Sequence, residues 1–216
     1  MSTAPRTLGA AVGVFFRHFS PVVLVASALA ALAYRATLGA PGLWDLAIVV
    51  ALWAAWPVQE WLIHVFILHF KPVEVLGLRI DPLNAQKHRA HHRDPNRVDL
   101  VFIPWFSVVS SLPLLLLIGL FAFPTPALGA TFLAAYLVQS AHYEWSHYLA
   151  HVPYTPSIPY YQRICKAHML HHFRNEHFWY GVSRTFGDTL LGTEPDPSST
   201  PKSETVRTLG IEMPSA

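Results

Sequence analysis

Very little of this sequence is charged. Asp, Glu, Lys and Arg together make up 13% of the 216 residues, hydrophobic types make up 52%, and the mean hydropathy is +0.32. Such a balance excludes an ordinary soluble domain and brings the bilayer in as solvent. Cysteine is almost missing too: Cys165 stands alone, so no intrachain disulfide can form, and it reads as a bystander rather than a nucleophile. The net charge of +2 gives no footprint for nucleic acid. No repeat of solenoid length is present. The first apolar stretch lacks a convincing small-residue cleavage site, which argues against a removed signal peptide.

What the chain has in quantity is apolar length. A helix needs about 20 residues to cross about 30 Å of hydrocarbon, and four stretches approach this: 21–38, 45–70, 101–123 and 127–151. Arg35 interrupts the first and can reach an interface through its aliphatic stem. Pro124 and Pro126 leave only a tight hairpin between the third and fourth. The second and fourth exceed membrane length, so their far ends should enter water. Fourteen of the fifteen Lys and Arg, all but Arg35, flank these stretches on one side. The positive-inside rule makes that side cytoplasmic, with both termini there. The expected organisation is all-α: an N-terminal cytoplasmic segment over 1–19, a bundle of four transmembrane helices with a cytosolic helical cap over 20–193, and a disordered Pro-, Ser- and Thr-rich tail over 194–216.

Thirteen histidines are present, and all but His18 lie between His64 and His177. On a helix, positions i, i+3 and i+4 span roughly 100° of arc. His88, His91 and His92 can therefore converge on one point, and His168, His171 and His172 repeat the spacing. His147 and His151 share a face. His64 and His69, at i and i+5, are roughly 140° apart and meet only if the helix ends or distorts between them, or else serve different ions. A lone interfacial His such as His18 is an amphipathic side chain, and one isolated H-x-x-H-H can be a wet helix face. Four groups on one side, ten imidazoles in all, point instead to a cation that holds them neutral.

Ten imidazoles exceed a zinc site of three or four ligands. They match two metal ions with about five nitrogens each, for which iron is the first choice and zinc the second. His142 is expected to pack or to line substrate, and His177 to support a ligand rather than be one.

With these residues in view, the chain resembles the fatty acid hydroxylase/sterol desaturase superfamily of membrane oxygenases, and within it most nearly the fatty acid 2-hydroxylase type. The likeness rests on E-W-L-I-H-V-F-I-L-H at 60–69, H-R-A-H-H-R-D-P at 88–95, Y-E-W-S-H-Y-L-A-H at 143–151, K-A-H-M-L-H-H at 166–172 and the closing segment from Gly181 to Thr193. It carries the ligand role onto His64, His69, His88, His91, His92, His147, His151, His168, His171 and His172, with Tyr143 and Asp188 expected to support a ligand or line substrate. It implies hydroxylation or desaturation of a lipid with oxygen. Electrons must come from a separate protein, because no cytochrome domain precedes the first helix. H-Y-E-W-S-H at 142–147 also fits the bacterial carotenoid hydroxylases, in which His142 would replace His151. Sterol or carotenoid oxidation is thus the alternative within this class, and a non-redox membrane metal carrier the alternative outside it. A carrier needs polar groups through the bilayer, and the first and third apolar stretches contain almost none.

Overall fold

A computed structural model describes residues 5–211. The fold is mostly helical. Its elements are α1 (Leu8–Phe15), α2 (Phe19–Ala36), α3 (Leu43–Ile63) continuing into a π-helical turn (His64–Leu68), strands β1 (Val73–Val75) and β2 (Leu78–Ile80), α4 (Leu83–Arg93), a 3-10 turn (Val98–Leu100), α5 (Trp105–Phe121), α6 (Pro126–His151), α7 (Pro159–Phe173) and α8 (Phe186–Leu191). The two strands form an antiparallel hairpin with Val73 opposite Ile80, the one departure from an all-α reading among the described residues.

Local chemistry sets several boundaries. Pro126 and Pro159 open α6 and α7, where a missing N–H costs nothing and the fixed φ suits a first turn. Asp94 ends α4 at φ -129 and ψ 72, outside the helical region that the following Pro95 disfavours. Gly192 ends α8 at φ 72, a left-handed position that glycine tolerates.

The chain divides into two compact units, whose boundaries fall inside α1, α3 and α6 and between Val101 and Phe102. One comprises Val12–Trp56 and Phe102–Trp145. Its core sets Leu24 and Ala28 of α2 against Leu137 of α6, with Leu112 and Leu115 of α5 around them. Between α5 and α6 there is no room for side chains at Gly119 and Gly129, since a Cβ on Gly129 would fall on the Gly119 carbonyl. Arg35 does not reach outward as its sequence position suggests. Its guanidinium is buried against Asp45 at 2.8 Å, Thr131 at 2.8 Å and the Gly39 carbonyl at 2.9 Å, because a paired charge tolerates burial that a lone one does not. Glu144 accepts hydrogen bonds from the Ser20 hydroxyl and the Ile103 N–H. His18 stacks on Phe102 with ring centroids 4.1 Å apart.

Three helical segments are long and apolar enough to cross a membrane: Phe19–Ala36, Leu43–Leu68 and Val98–Phe121. Helix α6 has the length but carries Thr131, Gln139, Ser140, His142 and Glu144 among its apolar residues, which lowers its hydropathy below theirs.

Among the described residues the other unit comprises 5–11, Pro57–Val101 and 146–211. Here the expectation of a disordered tail over 194–216 is corrected as far as Ile211. Thr200, Val206 and Leu209 are buried, the Ser203 N–H donates to the Arg174 carbonyl at 2.7 Å, and the Asn175 side-chain amide donates to the Pro201 carbonyl at 3.1 Å. Two apolar anchors and a series of backbone hydrogen bonds hold a segment whose composition alone reads as unstructured. Residues 212–216 lie outside the described residues.

Candidate metal centre

The second unit gathers ten histidines into two groups. His64, His69, His88, His92 and His171 form one; His91, His147, His151, His168 and His172 form the other. Within each group every residue offers a ring nitrogen within 4.8 Å of the others. These are the ten residues that spacing singles out in the sequence.

The way they are shared between groups differs from the sequence reading. H-x-x-H-H does not converge on one point. In α4, His88 and His92 face one group and His91 the other; in α7, His168 and His172 face the second group and His171 the first. Positions i and i+4 lie roughly 40° apart, while i+3 lies roughly 60° to the other side of i. Each helix thus sits between the groups, and the two supply them reciprocally. His64 and His69 meet because the helix does distort: the His69 N–H bonds to the His64 carbonyl at 3.0 Å, an i to i+5 bond that closes a π-turn. Their ring centroids are 4.9 Å apart.

Hydrogen bonds on the outer ring nitrogens fix several imidazoles. His64 Nδ1 lies 2.6 Å from the Tyr180 carbonyl, His171 Nδ1 2.7 Å from that of Phe178, and His92 Nδ1 3.0 Å from that of Val206. A carbonyl only accepts, so each Nδ1 carries the proton and leaves the Nε2 lone pair facing inward. The inner nitrogens crowd one another: His88 Nε2 is 3.1 Å from both His64 Nε2 and His92 Nε2, His91 Nε2 is 3.1 Å from His147 Nε2, and His151 Nε2 is 2.9 Å from His168 Nε2. His69 Nε2, His171 Nε2 and both nitrogens of His172 are buried without a hydrogen-bond partner. Burial, reinforced by the neighbouring imidazoles, lowers the pKa values of His88, His91, His168, His171 and His172 well below the ordinary range, and that of His92 to about 3. Convergent neutral imidazoles with unpartnered inner lone pairs are a donor set that suits a late first-row divalent metal. The donor set and the geometry fit a metal site in each group.

The carbonyls that hold His64 and His171 flank Trp179, which is buried and sits at φ 54. A left-handed tryptophan is costly, and here it turns the carbonyls on either side of it toward two imidazoles. Asp188 supports the same turn. Its fully buried carboxylate accepts from the Tyr180 N–H at 2.8 Å, the Gly181 N–H at 2.7 Å and the Thr193 hydroxyl at 2.6 Å. Burial raises its pKa, and the three donors oppose the rise. Glu60, also buried, accepts from the Val182 and Ser183 N–H groups and the Ser183 hydroxyl. A Cβ on Gly187 would run into the Pro57 carbonyl, so α8 approaches α3 at a glycine.

His142 and Tyr143 are half-buried on α6 and belong to neither group. His177 also lies outside both, with a side chain 60% exposed and Nε2 3.4 Å from Glu176. The sequence reading missed Glu60, although it heads the first histidine stretch, and it missed the C-terminal segment. Besides the Val206 carbonyl on His92, that segment sends the Thr205 hydroxyl to Glu176 at 2.5 Å and Arg207 to the His92 and Arg93 carbonyls at 3.3 Å, with the guanidinium 4.8 Å above the Phe173 ring.

Comparison with known proteins bears on this arrangement. A family model described as fatty acid hydroxylase matches residues 49–193, a span that contains all ten histidines. A dihydroceramide fatty acyl 2-hydroxylase, FAH2, of Arabidopsis thaliana is 29% identical over 141 residues, covering 65% of this chain and 57% of that protein. A fatty acid 2-hydroxylase of Macaca fascicularis is 30% identical over 165 residues, covering 72% of this chain and 41% of that protein. The chain therefore spans about half the length of these relatives. The solved structure of full-length scs7p, in which only the hydroxylase domain is visible, matches with a TM-score of 0.68 at 22% identity, over 86% of this chain and 68% of that one. That likeness is one of fold.

Proposed function

The chain belongs to the fatty acid hydroxylase family, and from that premise we propose that it is a membrane-bound oxygenase that hydroxylates a C–H bond of a fatty acyl lipid. The observation that carries the proposal is the pair of five-imidazole groups with converging inner nitrogens, those of His69, His171 and His172 having no hydrogen-bond partner. His64, His69, His88, His92 and His171 would hold one metal ion, and His91, His147, His151, His168 and His172 a second. Iron is the metal that fits best, and zinc is the alternative. Bound iron would supply the redox chemistry by which oxygen is reduced with electrons from a separate donor protein. The chain's own contribution is to hold the imidazoles neutral by burial and to fix the rings of His64, His171 and His92 through the carbonyls of Tyr180, Phe178 and Val206.

Three apolar helices and the family likeness support a multi-pass membrane protein. We place α6 in the bilayer as a fourth span, in keeping with its 26 residues. The histidine groups then form a cytosolic cap and both termini are cytoplasmic, a topology supported by the one-sided Lys and Arg distribution. A fatty acyl substrate is favoured over a carotenoid because His151, and not His142, is gathered with the other imidazoles.

The test is direct. Protein loaded with iron in detergent or vesicles, given oxygen and an electron donor, is incubated with fatty acids, ceramides, sterols and carotenoids, and the lipids are analysed by mass spectrometry. The expected product is a fatty acyl lipid with one added oxygen. Oxidation of a sterol or carotenoid alone would reassign the substrate, and no oxidised lipid from a fully loaded protein would refute the proposal.

A further inference from the structure

The hairpin that follows α3 has features that neither folding nor the metal centre explains. Val73, Val75, Leu76, Leu78 and Ile80 are all exposed, and Leu76 at the tip is 98% exposed. The connection is a two-residue turn in which Leu76 has φ 51 and Gly77 φ 76. Both positions of such a turn call for Asn, Asp or Gly, and a bulky side chain at positive φ is destabilising. A leucine here burdens the backbone and buries nothing, so the side chain answers to something outside the chain. Lys71 just before the hairpin and Arg79 within β2 line, with Pro72, Val73, Glu74 and Ile211, a cavity of about 410 Å³. Arg79 stands opposite Glu74 across the ladder. Among the described residues neither basic side chain is ion-paired with a carboxylate.

We propose that this hairpin is a lipid-interface anchor: Leu76 and Leu78 enter the outer acyl region of the bilayer while Lys71 and Arg79 meet anionic headgroup phosphates. The chain's own continuity selects the bilayer as the occupant. Val73 is ten residues beyond Ile63, where α3 gives way to the π-turn that carries His64 out of the bilayer, and an extended chain of that length covers at most about 36 Å. The hairpin therefore starts within reach of the headgroup layer. An apolar tip beneath a basic rim is the pattern that such a layer accommodates. The inference rests on α3 (Leu43–Ile63) crossing the bilayer.

The test uses the full chain in vesicles. In a Cys165→Ser background, Leu76→Cys is labelled with a polarity-sensitive fluorophore, and Val50→Cys, seven residues into α3, serves as the control for the span. Leu76 makes no packing contact that labelling would remove, and unchanged metal content verifies the fold. The label at position 76 should show blue-shifted emission, lose most of its fluorescence to nitroxides placed high on the acyl chain, and resist a water-soluble quencher. Its emission should shift further to the blue when phosphatidylserine is added to phosphatidylcholine, and Lys71→Glu with Arg79→Glu should abolish that added shift. Aqueous quenching at 76 with deep nitroxide quenching at 50 would overturn the anchor alone. Aqueous quenching at both would overturn the span. Blue-shifted emission at 76 that no lipid nitroxide quenches would assign the tip to a contact between copies and overturn the anchor. An unchanged response to phosphatidylserine in the double variant would overturn the role of the basic rim.

Discussion

Replacing Asp188 with alanine tests whether the turn from Phe178 to Gly181 positions His64. The carboxylate is fully buried and satisfies the Tyr180 N–H, the Gly181 N–H and the Thr193 hydroxyl. A buried N–H without an acceptor costs about 1–3 kcal/mol, so two of them destabilise this turn by roughly 2–6 kcal/mol unless it rearranges. Rearrangement moves the Tyr180 carbonyl, which lies 2.6 Å from His64 Nδ1. Loss of such a support weakens metal binding about 10- to 100-fold, equivalent to about 1.4–2.7 kcal/mol. Chelator competition, read by elemental analysis of the retained protein, should show one ion leaving Asp188→Ala at lower chelator than it leaves the unsubstituted chain, while the other stays. Asp188→Asn, which keeps one acceptor, should fall between. A chelator curve identical to that of the parent chain would refute the reasoning, because the turn would then be irrelevant to His64.

Two further outcomes follow from the same packing. Ending the chain after Ser199 removes the Val206 carbonyl from His92 and the Thr205 hydroxyl from Glu176; it should weaken metal retention about 10- to 100-fold at the group containing His92, and undiminished metal content would show the segment to be dispensable. In metal-free protein, the depressed His pKa values make stability depend on pH. Between about 6.5 and the folded-state value, about 3 for His92, the unfolded chain binds a proton that the folded chain does not. Each such His therefore costs about 1.4 kcal/mol per pH unit on acidification. Circular dichroism should register a steep loss of stability below about pH 6.5, and a flat profile down to pH 5 would contradict neutral burial.

The ten grouped histidines were legible because helical spacing is a local property: i and i+4 share a face whatever surrounds them, and i+3 lies close beside it. Their division between groups was not, since it depends on α4 and α7 each lying between two clusters, and spacing within one helix says nothing about its partner. The π-turn was half legible, because i, i+5 posed a geometric problem that only a distortion or a division could solve. Arg35 was misread for want of its partners, Asp45 and Thr131, the latter 96 residues away. Glu60 was invisible as a support for the same reason: the N–H groups it holds, at Val182 and Ser183, are more than 120 residues distant. The C-terminal segment misled through its composition, since Val206 and Leu209 are few among Pro, Ser and Thr and it is their burial against a distant surface that orders the chain.

The central claim is that the two imidazole groups each hold their own metal ion. Metal per chain, measured by elemental analysis on protein purified with iron, tests it most directly when read alongside His64→Ala and His168→Ala, one substitution from each group. The unsubstituted chain should carry two ions, each single variant about one, and the double variant none. One ion per chain in the unsubstituted, fully loaded protein, or two retained in both single variants, would contradict it.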